Sequence, residues 1–300
     1  MNPTSKASIV AALACAVVGA GLVGSSEAGE QRPQSPSATD APAPSEDGVS
    51  GTEKIDVDGS TVNVSCSGEA EDGEPVIVLL HGGGDDLTTM ADLQQTLSAD
   101  SRVCSYDRLG AGGSDRPEGP QDFDGVGETL TGVLDQVVGD DPVVLAGHSM
   151  GGLIAARYAP DHQDRVQGLV LLDSTSPTAV ADLENRIPED ATGPAGELRA
   201  QTLAIFAGEN PEQLVFTDGD VRSAGDIPVQ VIQHGRRYLE EVPEYGPGLE
   251  EDWTKGQREW LEVSGRSELS IAYNSGHYIH VDEPGVAVEA IERVASRAGE

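Results

Sequence analysis

"VVLAGHSMGG" occupies residues 143–152, an apolar run that stops abruptly on a serine fenced by glycines. The pattern Gly-x-Ser-x-Gly says little by itself. In a chain with 37 glycines among 300 residues, chance writes roughly 0.3 such matches. Its weight comes from what flanks it. "PVVLAG" (142–147) reads as a strand buried on both faces, and "MGGLIAARYA" (150–159) reads as a helix. A strand-to-helix turn this tight needs residues without side chains on either flank, and Gly147 and Gly151 supply them. Such a turn projects the hydroxyl of Ser149 outward, and the helix N-terminus favours the negative charge that develops as it attacks a carbonyl. Ser149 is therefore the candidate nucleophile. The competing reading, Ser149 as a simple helix N-cap, accounts for a serine at this place but not for its glycine fence.

Outward from this turn, apolar runs alternate with helical patterns. "KIDVDG" and "STVNVSCSG" alternate with period two, as a hairpin does. "PVIVLLHG" (75–82) and "SRVCSYDRLG" (101–110) read as strands on either side of a helix at 87–99, and an amphipathic helix follows at 123–139. Residues 166–173, 227–235 and 269–277 are three more strands, and "EPGVAVEAIERVASRA" closes the chain as a helix with Pro284 in its first turn. Eight strands interleaved with helices predict an α/β fold with a mostly parallel sheet. In such sheets reactive groups sit just beyond the carboxyl ends of strands. Here those groups are His81, Asp107, Ser149, Asp173, His234 and His277. Between the strands ending at 173 and starting at 227, two weak helical patterns (179–187 and 196–206) predict a small helical cap over about 174–226. A partly disordered insertion is the alternative.

A serine hydroxyl needs a base. Six histidines are present. His81 and His148 lie in glycine-rich turns, His162 in a polar stretch, and His234 at a strand end with no further signal. His277 is different: it sits in "NSGHYIHVDEP", after the last strand, where a side chain can reach across the top of the sheet, with His280 its near rival. The oxyanion that forms needs preorganised donors. The Met150 N–H at the start of the helix is one, and the glycines of "HGGG" (81–84) allow a second, that of Gly83. A phosphate-binding loop is the rival reading for "HGGGDD". It lacks both glycine fingerprints, and Asp85 and Asp86 would repel phosphate.

The formal charge is −34, from 18 basic and 52 acidic side chains, which argues against nucleic acid and anionic membrane as partners. Residues 1–28 read as an export signal, with Lys6 before the apolar stretch 9–24 and a small-residue cleavage site near Ala28. A membrane anchor, or lipid attachment at Cys15, is the alternative. Residues 29–52, rich in Pro, Ser, Ala and acid, read as a disordered linker, which leaves 53–300 as the folded domain. Export leaves Cys66 and Cys104, an even count that suggests one disulfide, with two free buried thiols as the alternative. No metal-ligand spacing and no cofactor-binding loop is legible. The expected protein is therefore secreted or held in the cell envelope, monomeric, without a cofactor or stable membrane insertion after signal cleavage, and acts on a small acyl substrate.

Taken together and in order, "LLHGGG", "YDRLGAGGSD", "AGHSMGG" and "SGHYIHVDEP" resemble the α/β-hydrolase superfamily across about residues 53–298. The resemblance implies an α/β-hydrolase sheet with a cap between its sixth and seventh strands, Ser149 as nucleophile, His277 as base, and Gly83 with Met150 as oxyanion hole. The chain also resembles exported actinobacterial members in which a cysteine near the second strand and one before "YDR" recur. The family's strand order makes those strands neighbours, which supports a Cys66–Cys104 bond. The departure is the acid. The family's usual aspartate, three residues beyond the glycine closing the penultimate strand, falls here on Tyr238, after Gly235. Asp173, ending the previous strand, is preferred because a rigid strand end orients a histidine better than a mobile loop. Glu240, Glu241, Glu250, Glu251 and Asp252 are the alternatives. Ser, His and carboxylate with an oxyanion hole imply acyl transfer to water. An esterase is the leading expectation, ahead of an amide- or lactone-cleaving enzyme, a peptidase acting on short peptides, and a non-catalytic ligand-binding relative.

Overall fold

The computed structural model of the chain describes residues 49–69 and 73–298. The export signal read at 1–28, Cys15 and nearly all of the linker lie outside them. The strands are β1 (Gly51–Val57), β2 (Ser60–Ser67), β3 (Val76–Leu80), β4 (Val103–Tyr106), β5 (Val143–His148), β6 (Val166–Leu172), β7 (Pro228–His234) and β8 (Arg266–Ala272). They form one sheet in the order β1-β2-β4-β3-β5-β6-β7-β8. β2 pairs antiparallel with β1 and β4, and every pairing from β4 to β8 is parallel.

The reason for this order is written in the burial of each strand. Every residue of β3, β4 and β5 is buried, as an uninterrupted apolar run requires when helices cover both faces. β1, at the edge, is largely exposed. Along β3 the side chains alternate between two cores: Val76, Val78 and Leu80 join one cluster, Ile77 and Leu79 the other. The first cluster is covered by α2 (Phe123–Val137) and α3 (Met150–Tyr158), through Val126, Leu130 and Leu134 of α2 and Leu153 and Ile154 of α3. The second is covered by α1 (Ala91–Leu97), through Leu93 and Leu97, and by α8 (Pro284–Arg297), through Ile291 and Val294. The period of α2 dictates its buried face, and Asp122 caps it by accepting from the Gly125 N–H. Truncating Leu130, which is wholly buried, to Ala would cost about 2–5 kcal/mol.

Cys66 and Cys104 face each other across the β2–β4 pair and are joined by a disulfide. Two sequence expectations shift. The helix expected over 87–99 opens as a 3₁₀ turn, Leu87–Met90, capped by Asp86, before α1 proper. The last strand, expected at 269–277, runs from Arg266 to Ala272. The chain turns away because Asn274 and Gly276 donate their N–H groups to Glu283 and Asp282, and the Ser275 carbonyl accepts from Gly235 and Arg236.

The segment between β6 and β7 carries α4 (Ala179–Arg186) and α5 (Gly193–Phe206). It does not form a cap alone. The segment after β7, for which the sequence suggested no helix, holds α6 (Gly246–Glu259), and the two share one apolar cluster: Leu183, Ile187, Ala195 and Leu198 with Leu239, Val242, Leu249 and Trp253. A four-residue helix, α7 (Ile279–Asp282), precedes α8.

Candidate active site

Ser149 sits at φ 52 and ψ −119, between the last residue of β5 and the first of α3. Left-handed backbone at a non-glycine residue is strained and persists only where the surroundings enforce it. Here they do. A Cβ on Gly147 would lie 2.4 Å from the Gly151 carbonyl, and one on Gly151 would lie 2.3 Å from Leu80 O, so the strand, the turn and the helix pack backbone to backbone. The Ser149 side chain makes no capping hydrogen bond, which removes the N-cap reading. Its hydroxyl lies 3.5 Å from that of Thr175.

Asp173 and His277 meet beside it. Asp173 follows β6 directly, and its own N–H donates to Ile232 O of the neighbouring β7. It too is held at positive φ, 47°. His277 lies on the turn after β8, and its carbonyl accepts from His148 Nε2 at 3.0 Å. The imidazole Nδ1 of His277 donates to Asp173 Oδ2 at 2.8 Å. A carboxylate only accepts, so this contact puts the proton on Nδ1 and leaves the Nε2 lone pair free. The other carboxylates considered lie elsewhere. Glu240, Glu241 and Glu251 are exposed, and Asp252 is engaged by Arg186 at 2.7 and 2.8 Å. Glu250 is buried but meets His234, not His277. His280 packs behind His148, their ring centroids 4.8 Å apart. Burial, then the neighbouring His277, pushes it down to about 4, so it stays a neutral spectator at ordinary pH.

Asp173 is also gripped from behind. Trp253 Nε1 donates to Oδ1 at 2.8 Å, the His234 N–H donates to Oδ1 at 3.1 Å, and His234 Nδ1 stands 2.8–2.9 Å from both carboxylate oxygens. Burial alone would raise its pKa, but His234 and His277 hold it well below the ordinary carboxylate range. His234 carries the reciprocal effect. Burial would lower it, yet Asp173 and Glu250 bring it up to about 10.

The opposite wall is the "HGGG" loop. Gly83 and Met150 line a shared cavity with Gly84, Asp85 and Phe216. The Gly83 N–H has no backbone acceptor among the described residues, and the Met150 N–H, first in its helix, has no intrahelical carbonyl to meet. Both donors are thus available. Arg108 fixes the loop: Nη1 donates to His81 O and Nη2 to Gly82 O, each at 2.8 Å, while Nε donates to Glu212 Oε2 at 2.7 Å. Arg108 is 2% exposed and Glu212 4%, so this ion pair is closed to solvent. His81, buried and beside Arg108, is held well below its usual range and neutral. Asp107, one of the strand-end groups, is structural. It accepts from the N–H groups of Leu87 and Gly113 and from Asn63 Nδ2, all at 2.7–2.8 Å.

A second cavity opens on the other side of Ser149, walled by Leu183, Phe206, Leu249 and Trp253 from the cap, with Thr175 and Thr202 beside them. The serine lies between an apolar chamber and the donor-lined loop. Two residues of this arrangement, Trp253 and Arg108, carried no site signal in the sequence, and His234 stood there only as one of the strand-end groups. For His234 one clue existed: adjacent parallel strands ending together put position 234 beside position 173.

A family model described as alpha/beta hydrolase fold matches residues 75–208. The human (lyso)-N-acylphosphatidylethanolamine lipase is 33% identical over 113 residues, 37% of this chain and 33% of the lipase. The proline iminopeptidase of Saccharolobus solfataricus is 36% identical over 121 residues, 38% of each. The chain thus aligns with little more than a third of these relatives' length. Among solved structures, the enol-lactonase of Burkholderia xenovorans superposes with a TM-score of 0.58 at 19% identity, over 81% of this chain and all of that one. A serine hydrolase involved in carbazole degradation superposes with a TM-score of 0.59 at 18% identity, over 82% and 98%. At these identities the likeness is one of fold. The sheet order, the matched segment and these superpositions agree on one architecture, the α/β-hydrolase fold.

Proposed function

We propose that the protein is an exported serine hydrolase that cleaves a small ester, or a related amide or lactone, through an acyl-enzyme intermediate. The observation that carries the proposal is the strained Ser149 turn together with the His277–Asp173 pair at 2.8 Å, tied to that turn by His148 Nε2, which donates to His277 O, and by the Ser149 N–H, which donates to Leu172 O. In this reading His277 Nε2 takes the Ser149 proton as the serine oxygen attacks the substrate carbonyl. The N–H groups of Gly83 and Met150 receive the oxyanion, and Asp173 stabilises the imidazolium without taking its proton. His277 then protonates the leaving alcohol, and a water activated by the same imidazole releases the acid. The Ser149 hydroxyl lies 3.5 Å from that of Thr175, and in this reading it donates to His277 Nε2 in the substrate complex, where catalytic hydrogen bonds tighten. The apolar cap chamber suits an acyl group, and the disulfide is in keeping with an oxidising, extracytoplasmic setting. Among the described residues no helix is long and apolar enough to cross a membrane.

The test is a panel of p-nitrophenyl esters of graded chain length run beside aminoacyl p-nitroanilides. Ester cleavage with a presteady-state burst is the expected outcome. Preference for the anilides would move the assignment to a peptidase, and a folded protein that turns over neither would make it a ligand-binding relative.

A further inference from the structure

Behind the His277–Asp173 pair lie two buried groups that the acyl-transfer reading does not use, His234 and Glu250, so that the array runs His277, Asp173, His234, Glu250. His234 Nδ1 meets Asp173 at 2.8–2.9 Å and its Nε2 meets Glu250 Oε2 at 3.0 Å, while Glu250 Oε1 accepts from the Leu239 N–H at 2.8 Å. Asp173, His234 and Glu250 are 0%, 2% and 1% exposed. A neutral imidazole has one N–H and one acceptor nitrogen, so it cannot donate to carboxylates on both sides; an imidazolium can. From this geometry we infer that His234 is a buried imidazolium clamped between Asp173 and Glu250, and that His234 and Glu250 are positioning residues that hold Asp173 and set the basicity of His277.

The inference rests on the hydrolase reading for its kinetic consequence, but not for its electrostatics. Removing a buried charge from its partners is costly, so three charges in a row persist only where each satisfies the next. The net charge of the three groups is one negative, the same as that of Asp173 alone, while the imidazolium pins the carboxylate in the orientation His277 needs. Other groups facing the array are Tyr238, whose ring lies 4.7 Å from that of His234 and 6.1 Å from that of His277, and Trp253, which bonds Asp173. His277 is also faced by His148 at 4.5 Å and Tyr278 at 5.5 Å, with His280 and Asp85 close enough to feel its charge. Burial and then the nearby His277 hold His148 well below its usual range, so it adds no charge. His234 itself is shifted upward, the direction the clamp requires.

The sign of each charge makes the test. Glu250→Gln leaves the imidazolium and removes an anion, so the acid limb of the pH–kcat/KM profile should move down by about 0.5–1 pH unit. His234→Gln removes the cation and should move the limb up by a similar amount. Combining His234→Gln with Glu250→Gln restores one net negative charge and should return the limb to near its wild-type position, with kcat still reduced. A merely structural role would lower activity in all three and leave the limb in place, which would overturn the proposal. Because a variant can fail to fold, ¹⁵N-histidine NMR of the wild-type protein provides the second reading. It should show both His234 nitrogens protonated from pH 5 to 8, whereas a neutral tautomer in that range would refute the clamp. Doubly protonated His234 in a protein that hydrolyses nothing would keep the clamp and sink the hydrolase assignment. Intact ester turnover with a neutral His234 would do the reverse.

Discussion

The two walls that face Ser149 are each braced by a buried carboxylate from outside the sheet, but for different ends. On the oxyanion side, Arg108 clasps the carbonyls of His81 and Gly82 and is itself held by Glu212. On the base side, His234 stands between Asp173 and Glu250. A guanidinium does not titrate in a protein, and its planar fork fixes directions. An imidazole titrates, so whatever it fixes it also charges. Backbone donors need only be held still. In the proposed mechanism the base must be held and also tuned, and the two walls differ in that respect.

Breaking the base wall at its shared carboxylate should have the largest effect. Asp173→Asn is expected to lower kcat by about 10⁴-fold, measured on the best ester of the panel. Glu241→Gln, at an exposed position, should stay within about twofold. Breaking the other wall should cost stability before chemistry. Arg108→Met strands the buried Glu212 charge and is expected to lose about 3–5 kcal/mol by urea denaturation. Arg108→Met with Glu212→Leu should recover most of that loss without recovering kcat, because the apolar pair packs but no longer holds the loop carbonyls. A double variant with full activity would show that the loop needs no clamp.

The walls should also separate by pH. His81, His148 and His280 are held below their ordinary values by burial, so the stability they contribute is present above about pH 6.5 and is lost as pH falls below it. His234 is raised to about 10, so its contribution is complete below about pH 6.5 and is lost as pH rises toward 10. Each proton is worth about 1.4 kcal/mol per pH unit within its window. The melting temperature should therefore peak near pH 6.5, and His234→Gln should flatten the alkaline side alone. The smallest effect on activity should come from Cys66→Ser, which opens a bond in the β2–β4 region of the sheet. It should cost about 2–4 kcal/mol of stability and leave kcat within about twofold.

What could be read from the sequence follows the same division. Apolar periodicity specified the strands because helices cover both faces of the sheet, and the glycines around Ser149 announced a backbone contact that the structure contains. The sequence named Asp173 over five other carboxylates by appeal to rigidity, and that is the carboxylate the fold brings to His277. Contacts between distant segments were not legible. Glu212 and Arg108 are 104 residues apart, and Glu250 meets His234 only because α6 folds back over β7, a helix whose Gly246, Pro247 and Gly248 masked its periodicity. The last strand ends earlier than its apolar run suggested, because the turn after Ala272 is held by Asp282 and Glu283, contacts that the run itself does not show.

Labelling by a fluorophosphonate tests most directly whether Ser149 is the activated nucleophile proposed for it. Mass spectrometry of the labelled wild-type protein should locate one adduct on the peptide bearing Ser149, with no adduct in Ser149→Ala and greatly slowed labelling in Asp173→Asn. A folded wild-type protein that remains unlabelled, or one labelled equally well after Ser149→Ala, would contradict the account.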